Sequence, residues 1–271
     1  MIRCFHRLFS PPQAMRPIDI RPNPKFGHAR TAGWRARIGF LIPPGTPTVE
    51  REMYELAPDG VSVHFGRMVA RGPVGTLASL LQRAASHIEH LDETIEMLAS
   101  VKPDVIVLAH TATSYYLGKQ REQDLVERMR DKTGLPFITT FGSVLAACEQ
   151  LGVNRIAVGT AYDEALSRKS REVLESHGLQ VVDMQWLPDV KSIFEETEAR
   201  VYGLGRAVDR PDAQAVFLSG VGLPTVSILG ALEADIGKPA ISSAAAMMWH
   251  ALRTAGISAP MSGYGRLLEL A

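Results

Sequence analysis

The sequence lacks several features that identify common protein classes. It has only two cysteines, Cys4 and Cys148, and neither belongs to a CxxC pair or a zinc-type ligand spacing. Neither GxGxxG nor GxxxxGK[ST] occurs, so nothing indicates a nucleotide cofactor. No apolar run approaches the ~20 residues needed to cross a bilayer. We therefore expect a soluble protein without cofactor or metal. Two unpaired thiols are typical of the reducing cytoplasm, so we expect a cytoplasmic protein.

Charge is balanced but unevenly distributed. The chain has 29 basic and 29 acidic residues. Residues 1–37 contain eight Lys or Arg and one acid, Asp19, a charge of +7, so residues 38–271 carry −7. An acidic body offers phosphate groups no basic face, and we therefore expect no nucleic-acid partner. Residues 1–36 are predicted to be a basic, disordered leader; a transit peptide and a tail for anionic partners are the alternatives.

Short β-rich runs alternate with amphipathic helical stretches, which is typical of βαβ units and a parallel sheet. The predicted strands are 37–42, 104–109, 137–140, 155–159, 215–218 and 240–242. The predicted helices are 88–99, 123–133, 163–177 and 193–208.

The chain also contains an internal repeat. The matching pairs of segments are 37–42 (RIGFLI) with 155–160 (RIAVGT), 134–140 (GLPFITT) with 237–243 (GKPAISS), and 151–153 (LGV) with 255–257 (AGI). We therefore predict two similar Rossmann-like α/β domains related by a pseudo-two-fold. Their predicted bounds are 37–152 and 153–256, with 257–271 packing back on the first domain.

The carboxyl ends of the predicted strands are rich in hydroxyl groups and glycine, as in 43–46 (PPGT), 110–114 (HTATS), 160–162 (TAY), 219–222 (SGVG) and 242–243 (SS). Ligands of open α/β sheets bind beyond these ends. Backbone N–H groups and helix N-termini there can hold a carboxylate without a basic side chain. Two such edges facing each other predict a site for a small organic anion in the cleft between the domains.

At these strand ends the sequence resembles the aspartate/glutamate racemase superfamily, and within it arylmalonate decarboxylase and maleate cis-trans isomerase. The resemblance spans residue 37 to about residue 268. The segments that carry it are 38–44 (IGFLIPP), 160–162 (TAY), 218–223 (LSGVGL) and 263–267 (GYGRL). It implies a cofactor-independent lyase or isomerase that acts on a small (di)carboxylic acid through an enediolate-type intermediate.

Both cysteine positions typical of that superfamily are changed. Its racemases and isomerases place two cysteines on opposite faces of the substrate, and the decarboxylase keeps the second. Here the first position is His110 and the second is Gly220. A further difference is Thr46, where the isomerases have asparagine. A two-cysteine racemase is therefore not predicted, and Cys148, inside a predicted helix, is interpreted as a buried structural thiol.

His110 is the candidate acid or base because an imidazole titrates near neutral pH; the alternative is that it only hydrogen-bonds neighbouring hydroxyls. The resemblance implies a substrate-binding tyrosine at Tyr162, our second catalytic candidate; the alternative is a buried ring with a satisfied hydroxyl. The candidate substrate-binding residues are Pro44, Gly45, Thr46, Thr111, Ala112, Ser219, Gly220 and Val221. Ser219 has the alternative role of a helix cap.

Other polar residues receive structural interpretations. Tyr115 and Tyr116 are predicted to be pocket wall. His87 and His90, three apart on a polar helix, are predicted to form a solvated face. Glu50 and Glu52 are predicted near a helix start, where acids complement the helix dipole.

The leading hypothesis is a decarboxylase-like enzyme whose partner is a small carboxylate and which has no membrane partner. The alternatives are a non-catalytic carboxylate-binding protein on the same fold, and a maleate isomerase-type enzyme with a replaced nucleophile. The sequence is compatible with a monomer or a homo-oligomer.

Overall fold

A computed structural model describes residues 30–73 and 77–270, without the side chains of residues 77–80. Most of the predicted leader, residues 1–29, lies outside the described residues. Arg30 already contacts the body of the protein: its Nη1 donates to the two carboxylate oxygens of Asp104 at 3.1 and 2.8 Å. The first strand begins soon afterwards, at Ala36.

The first half of the described chain forms a four-stranded parallel sheet in the order β2-β1-β3-β4. Its elements are β1 (Ala36–Ile42), α1 (Pro47–Leu56), β2 (Val61–Arg67), α2 (Leu77–Glu89), α3 (Leu91–Ala99), β3 (Val105–Leu108), α4 (Thr111–Thr133), β4 (Phe137–Thr139) and α5 (Thr140–Leu151).

The second half repeats this plan in a parallel sheet of order β6-β5-β7-β8. Its elements are β5 (Arg155–Thr160), α6 (Glu164–Ser176), β6 (Gln180–Trp186), α7 (Glu198–Val208), β7 (Ala215–Ser219), α8 (Leu229–Ile236), β8 (Ala240–Ser242), α9 (Ser243–Thr254) and α10 (Arg266–Glu269), with 3-10 turns at Ile193–Glu195 and Val226–Ile228. The predicted fold class, two similar α/β halves with parallel sheets, is confirmed.

The register of the sheets fixes which residues correspond between the halves. Ile106 of β3 pairs with Phe137 of β4, and Val216 of β7 pairs with Ala240 of β8. Phe137 and Ala240 hold the same place in the two GxP-containing repeat segments. Ile106 therefore corresponds to Val216.

Helices α5 and α9 hold equivalent places in the two halves and pack against each other. They begin alike: the Thr139 hydroxyl accepts the Gly142 N–H at 2.8 Å, and the Ser242 hydroxyl accepts the Ala245 N–H at 3.1 Å. Both helices belong to one continuous hydrophobic core that also includes the inner faces of both sheets. This shared core holds the carboxyl ends of β3 and β7 close to each other.

Several predicted elements differ from the structure. Edge strands β2 and β6 were not predicted, because half-buried side chains break their apolar runs. The predicted helix 88–99 is two helices that break at His90. The start of the predicted helix 193–208 is a 3-10 turn, and α7 begins only after the Thr197 cap. The predicted helix 123–133 extends back to residue 111, with a break at Gly118, whose φ is 70°.

The C-terminal segment contacts both halves. The Arg35 guanidinium, in the first half, donates to the Ser258 carbonyl at 3.4 Å, and the Arg266 N–H donates to Glu233 of α8 at 2.9 Å. The assignment of residues 257–271 to the first domain stays a prediction. Within the described ranges, no helix has the length and apolar character of a membrane span.

Candidate active site

His110 and Gly220 occupy equivalent positions of the two halves. Each lies four residues after the corresponding pair, Ile106 and Val216, and each follows the central strand of its sheet. The fold therefore aligns the two positions that differ from the superfamily's cysteines.

A cluster of hydroxyl groups joins the halves beside these positions. The Thr111 hydroxyl donates to Ser243 Oγ at 3.2 Å, and Ser243 Oγ also accepts the Gly220 N–H at 3.1 Å. Tyr115 Oη lies 2.8 Å from Ser219 Oγ. The side chains of Thr111 and Ser219 lie near the Tyr162 hydroxyl and partly offset the rise in its pKa. The members of this hydroxyl cluster are Thr111, Tyr115, Tyr162, Ser219 and Ser243.

The hydroxyl cluster is buried, apart from the half-buried Tyr162. Burial raises the pKa of both Tyr115 and Tyr162 above its ordinary value of 10. Both phenols therefore keep their protons at neutral pH and can donate hydrogen bonds to an anion. Tyr115, predicted as pocket wall, is a bonded member of the cluster.

His110 is the N-cap residue of α4, directly before Thr111, and is half-buried. Its Nδ1 lies 2.7 Å from Thr113 Oγ1, and its ring centroid lies 4.8 Å from that of His87 with the planes tilted by 42°. Burial, followed by the neighbouring His87 and Arg83, lowers the pKa of His110 well below 6.5. At neutral pH His110 is therefore a neutral imidazole.

The predicted solvated face at His87 is wrong. His87 is only 1% exposed, and Ala84, one turn earlier, and Leu91, one turn later, are buried as well. Burial, then Arg83, lowers the pKa of His87 to about 4. Helix α2 packs against α4, and this contact removes His87 from solvent. His90, in contrast, is half-buried.

The loop after β1 emerges next to His110 because Leu41 pairs with Leu108 in the sheet. Pro44 and Gly45 are exposed, whereas Thr46 is fully buried and donates its hydroxyl to the Pro43 carbonyl at 2.9 Å. The Thr46 hydroxyl thus holds its own loop. Among the described residues, no hydrogen bond connects Pro44, Gly45 or Thr46 to the hydroxyl cluster.

Ala112 and Val221 are both buried at the predicted edge. Ala112 lies in the first turn of α4, where backbone N–H groups have no intrahelical acceptor. Val221 directly follows Gly220. Of the predicted substrate-binding residues, the fold thus brings Thr111, Ala112 and residues 219–221 together.

Gly220 closes its side of the site. Its φ is 127°, a value that favours glycine, and a Cβ there would lie 2.9 Å from Ile193 Cδ1 and 3.4 Å from the Tyr162 hydroxyl. The next glycine, Gly222, lies under Phe194, 2.5 Å from where its Cβ would be. The present backbone does not accept a cysteine at residue 220 without rearrangement.

Two residues of this region were not among the candidate site residues that the sequence predicted. Ser243 corresponds in the repeat to Thr140, and both bond the end of the neighbouring central strand: the Thr140 hydroxyl donates to the Leu108 carbonyl at 3.0 Å. The repeat could therefore have identified Ser243.

The second of these two residues is Glu52, which the sequence analysis interpreted as an acid that complements the dipole of α1. It is instead 2% exposed, on the buried stripe of α1 with Val49, Met53 and Leu56. Its Oε1 accepts the backbone N–H groups of Thr225 and Val226 at 2.6 and 2.8 Å. Burial outweighs these two bonds and raises the pKa of Glu52 to about 7. Glu52 thus joins α1 to the loop that carries Gly220.

Comparison with known proteins identifies one family. The family model for arylmalonate decarboxylase matches residues 38–268. Arylmalonate decarboxylase of Bordetella bronchiseptica is 28% identical over 237 residues, which cover 86% of this chain and 96% of that protein. A maleate isomerase of Pseudomonas putida is 24% identical over 248 residues, with coverages of 86% and 97%.

Comparison with solved structures gives the same family of proteins. A crystal structure of arylmalonate decarboxylase superposes with a TM-score of 0.72 at 26% identity, covering 87% of this chain and 100% of that one. A cysteine-to-serine variant of Nocardia farcinica maleate cis-trans isomerase, which carries a covalent succinylcysteine intermediate, gives 0.79 at 22% identity, covering 87% and 99%; this second likeness shows the fold alone. The relatives that this chain resembles are enzymes. Since the family model matches nearly all the described residues, the chain belongs to the arylmalonate decarboxylase family.

Proposed function

We propose that this protein is a cofactor-independent lyase that decarboxylates a small malonate-type acid, with His110 as the proton donor. The observation that carries the proposal is the asymmetry of the two equivalent positions. Position 110 holds an imidazole, whereas position 220 holds a glycine with a positive φ whose Cβ position lies 2.9 Å from Ile193 Cδ1. A decarboxylation needs one proton donor, whereas racemisation needs a group on each face of the substrate.

In the proposed reaction, the hydroxyl cluster binds the carboxylate that stays on the product. Tyr162 donates a hydrogen bond, together with N–H groups of Ala112 and Val221. The bond to the departing carboxylate breaks, CO₂ leaves, and the electron pair remains on carbon as an enediolate. Preorganised donors stabilise this developing charge by about 3–4 kcal/mol each.

The enediolate then takes a proton from the imidazolium of His110, which forms the new C–H bond. Since Nδ1 is engaged by Thr113 at 2.7 Å, Nε2 is the ring atom that transfers the proton. His110 returns to its neutral form and regains a proton from solvent. One proton is consumed for each CO₂ released.

The test is His110→Ala, with His90→Ala, at the break between α2 and α3, as the matched control. We expect His110→Ala to reduce CO₂ release from malonate or phenylmalonate by at least about 100-fold, the usual contribution of a positioned acid. Binding measured by calorimetry and stability measured in urea should change little. Unchanged turnover would remove His110 from the mechanism.

A second candidate function is carboxylate binding without catalysis. It is favoured by the closure of Gly220 under Ile193 and by the changed cysteine positions. Thermal-shift measurements with dicarboxylates, followed by NMR detection of solvent deuterium in the ligand, separate the two functions. Binding without deuterium incorporation or product would favour the binding protein. A maleate isomerase-type reaction is the weakest candidate, because neither residue 110 nor residue 220 supplies the thiol nucleophile.

A further inference from the structure

Ser243 is a fully buried serine whose hydroxyl is not needed to start its helix. It is the first residue of α9, and the three alanines that follow it, at 244–246, are buried as well. The Ser242 hydroxyl already caps α9 by accepting the Ala245 N–H at 3.1 Å. A second buried hydroxyl in apolar surroundings is unfavourable unless hydrogen bonds compensate for its desolvation. The partners of Ser243 therefore indicate what its hydroxyl does.

The Ser243 hydroxyl is bonded to both edges of the candidate site. Its oxygen accepts the Thr111 hydroxyl at 3.2 Å and the Gly220 N–H at 3.1 Å. A serine oxygen has two lone pairs, so these two bonds use its whole acceptor capacity. Thr111 begins α4 directly after His110, and Gly220 directly follows β7. One oxygen thus connects the central strand ends of the two halves.

The equivalent hydroxyl of the first half is bonded differently. Thr140, which corresponds to Ser243 in the repeat, donates its hydroxyl to the Leu108 carbonyl at 3.0 Å. That bond lies within the first half and ends on a strand residue, two positions before His110. Ser243 instead accepts two hydrogen bonds, one from each half. The repeat alone therefore does not account for the bonds of Ser243.

The bond from Gly220 decides which N–H groups are available to a ligand. Because Ser243 engages the Gly220 N–H, this group does not face a bound carboxylate in the present arrangement. The chain continues from there through the positive φ of Gly220, 127°, to Val221, whose N–H belongs to the proposed carboxylate site. On the opposite edge, Thr111 is held by the same oxygen and directly precedes Ala112, the other N–H donor of that site.

We propose that Ser243 is a positioning residue that sets the spacing between the two edges of the carboxylate site. Its oxygen fixes the Gly220 peptide and, through Thr111, the first turn of α4. The N–H groups of Val221 and Ala112 are thereby placed to bind one carboxylate. The use of this carboxylate site in catalysis rests on the proposed decarboxylation, whereas the connection between the two edges requires no ligand.

Two variants of nearly equal shape isolate the oxygen. Ser243→Thr keeps it and introduces the residue type of the equivalent position 140, whereas Ser243→Val replaces it by a methyl group. Both variants add the same second methyl group, so the difference between them reports on the oxygen. The control Ser170→Ala removes an equally buried hydroxyl, which donates to the Ser167 carbonyl of its own helix at 2.8 Å. If the added methyl group prevents folding, Ser243→Ala against the wild type makes the same comparison.

The first measurement uses the free full-length protein. Amide hydrogen exchange followed by NMR reports on the bond from Gly220 directly. We expect the Gly220 amide hydrogen to exchange about 10-fold faster or more in Ser243→Val than in Ser243→Thr, because its buried acceptor is lost. In Ser170→Ala it should exchange as in the wild type. Equal exchange in folded Ser243→Thr and Ser243→Val would overturn the connection through Ser243.

The second measurement uses malonate and phenylmalonate as probes. On binding to the wild type, the amide protons of Val221 and Ala112 should shift to lower field, and that of Gly220 should shift less than half as much. A Gly220 shift as large as that of Val221 would show that its N–H binds the ligand, against the proposal.

Turnover separates positioning from a merely structural role. Donors that are misplaced by part of an ångström lose stabilisation of the enediolate, whereas the bound acid carries less charge there. We therefore expect kcat for CO₂ release to be about 10- to 100-fold lower in Ser243→Val than in Ser243→Thr. KM should differ by less than about 3-fold, and Ser170→Ala should have the kcat of the wild type.

The outcomes are separable from those of the proposed function. A wild type that releases no CO₂ would refute the decarboxylation, and the Gly220 exchange in the free protein would still decide whether Ser243 connects the two edges. A folded Ser243→Val protein with the kcat of Ser243→Thr would overturn the positioning role and leave the decarboxylation intact.

Discussion

The contact between Glu52 and the loop after β7 predicts an unusual dependence of stability on pH. Glu52 is 2% exposed, and its Oε1 accepts the N–H groups of Thr225 and Val226. Its Oε2 is buried without a hydrogen-bond partner in the described structure. Burial raises the pKa of this carboxyl to about 7, from an ordinary 4.5.

A raised pKa means that the folded protein holds this proton more tightly than the unfolded chain does. The stabilisation from neutral Glu52 is therefore complete below pH 4.5 and is lost as the pH rises through 7. The two pKa values differ by about 2.5 pH units. At about 1.36 kcal/mol per unit, the free energy of unfolding should lose about 3 kcal/mol from this group between pH 4.5 and pH 8.

The variant Glu52→Gln isolates this contribution, because an amide has nearly the same shape and does not titrate. We expect the free energy of unfolding of the wild type, minus that of Glu52→Gln, to fall by about 3 kcal/mol over this pH range. Urea unfolding at half-unit pH intervals measures the difference, and other titrating groups cancel in it. The control is Glu50→Gln, which removes a carboxylate of the same helix that pairs with Arg67 at 2.8 Å.

A flat difference between pH 5 and pH 8 would refute the reasoning. It would mean that Glu52 is already ionised at the lower pH and that the two N–H donors outweigh burial. The same measurements should show whether ionisation loosens the loop, since hydrogen exchange at Thr225 and Val226 reports on the two bonds directly.

Two further predictions concern the changed cysteine chemistry. Gly220→Ala should destabilise the protein by about 1–3 kcal/mol in urea, because of the positive φ and the contact with Ile193, whereas Gly45→Ala, which meets nothing within 4 Å, should be nearly neutral; equal effects would contradict this view of the Gly220 loop. Burial raises the pKa of the Cys148 thiol to about 12, so iodoacetamide should modify it only after unfolding, and Cys148→Ala should retain turnover. Loss of turnover in a folded Cys148→Ala protein would reopen a thiol mechanism.

The central strands could be predicted from the sequence because they are covered on both faces. Strands β3 and β7 are fully buried and therefore read as continuous apolar runs. The edge strands β2 and β6 have half-buried side chains, such as His64 in β2 and Asp183 in β6, and their sequences carry no such run. Their place in the fold is decided by pairing with β1 and β5, which local sequence does not encode.

The candidate site was predictable where it depends on a single strand end. The strand ends placed His110, Thr111 and Gly220 at the predicted edge, and the family resemblance singled out residues 110 and 220 as the two changed cysteine positions. Contacts that cross between the halves depend on how α5 and α9 pack, and for that reason Ser243, although at a predicted strand end, was not among the candidate site residues. His87 was misread because Arg83, Glu89 and His90 give this stretch a polar character, although His87 is buried together with Ala84 and Leu91.

The internal repeat relates the two positions at which this chain lacks the superfamily's cysteines. Equivalent strand ends present two equivalent positions, and in this chain each has acquired its own surroundings. Around residue 220 the backbone has a positive φ, and the end of the Ile193 side chain lies 2.9 Å from where a Cβ would be. Around residue 110 a second imidazole and an arginine surround the ring and hold it neutral. A closed glycine cannot exchange protons, so any proton chemistry at this pair of positions must come from the side of His110, and its acid strength must be set by what lies next to that ring.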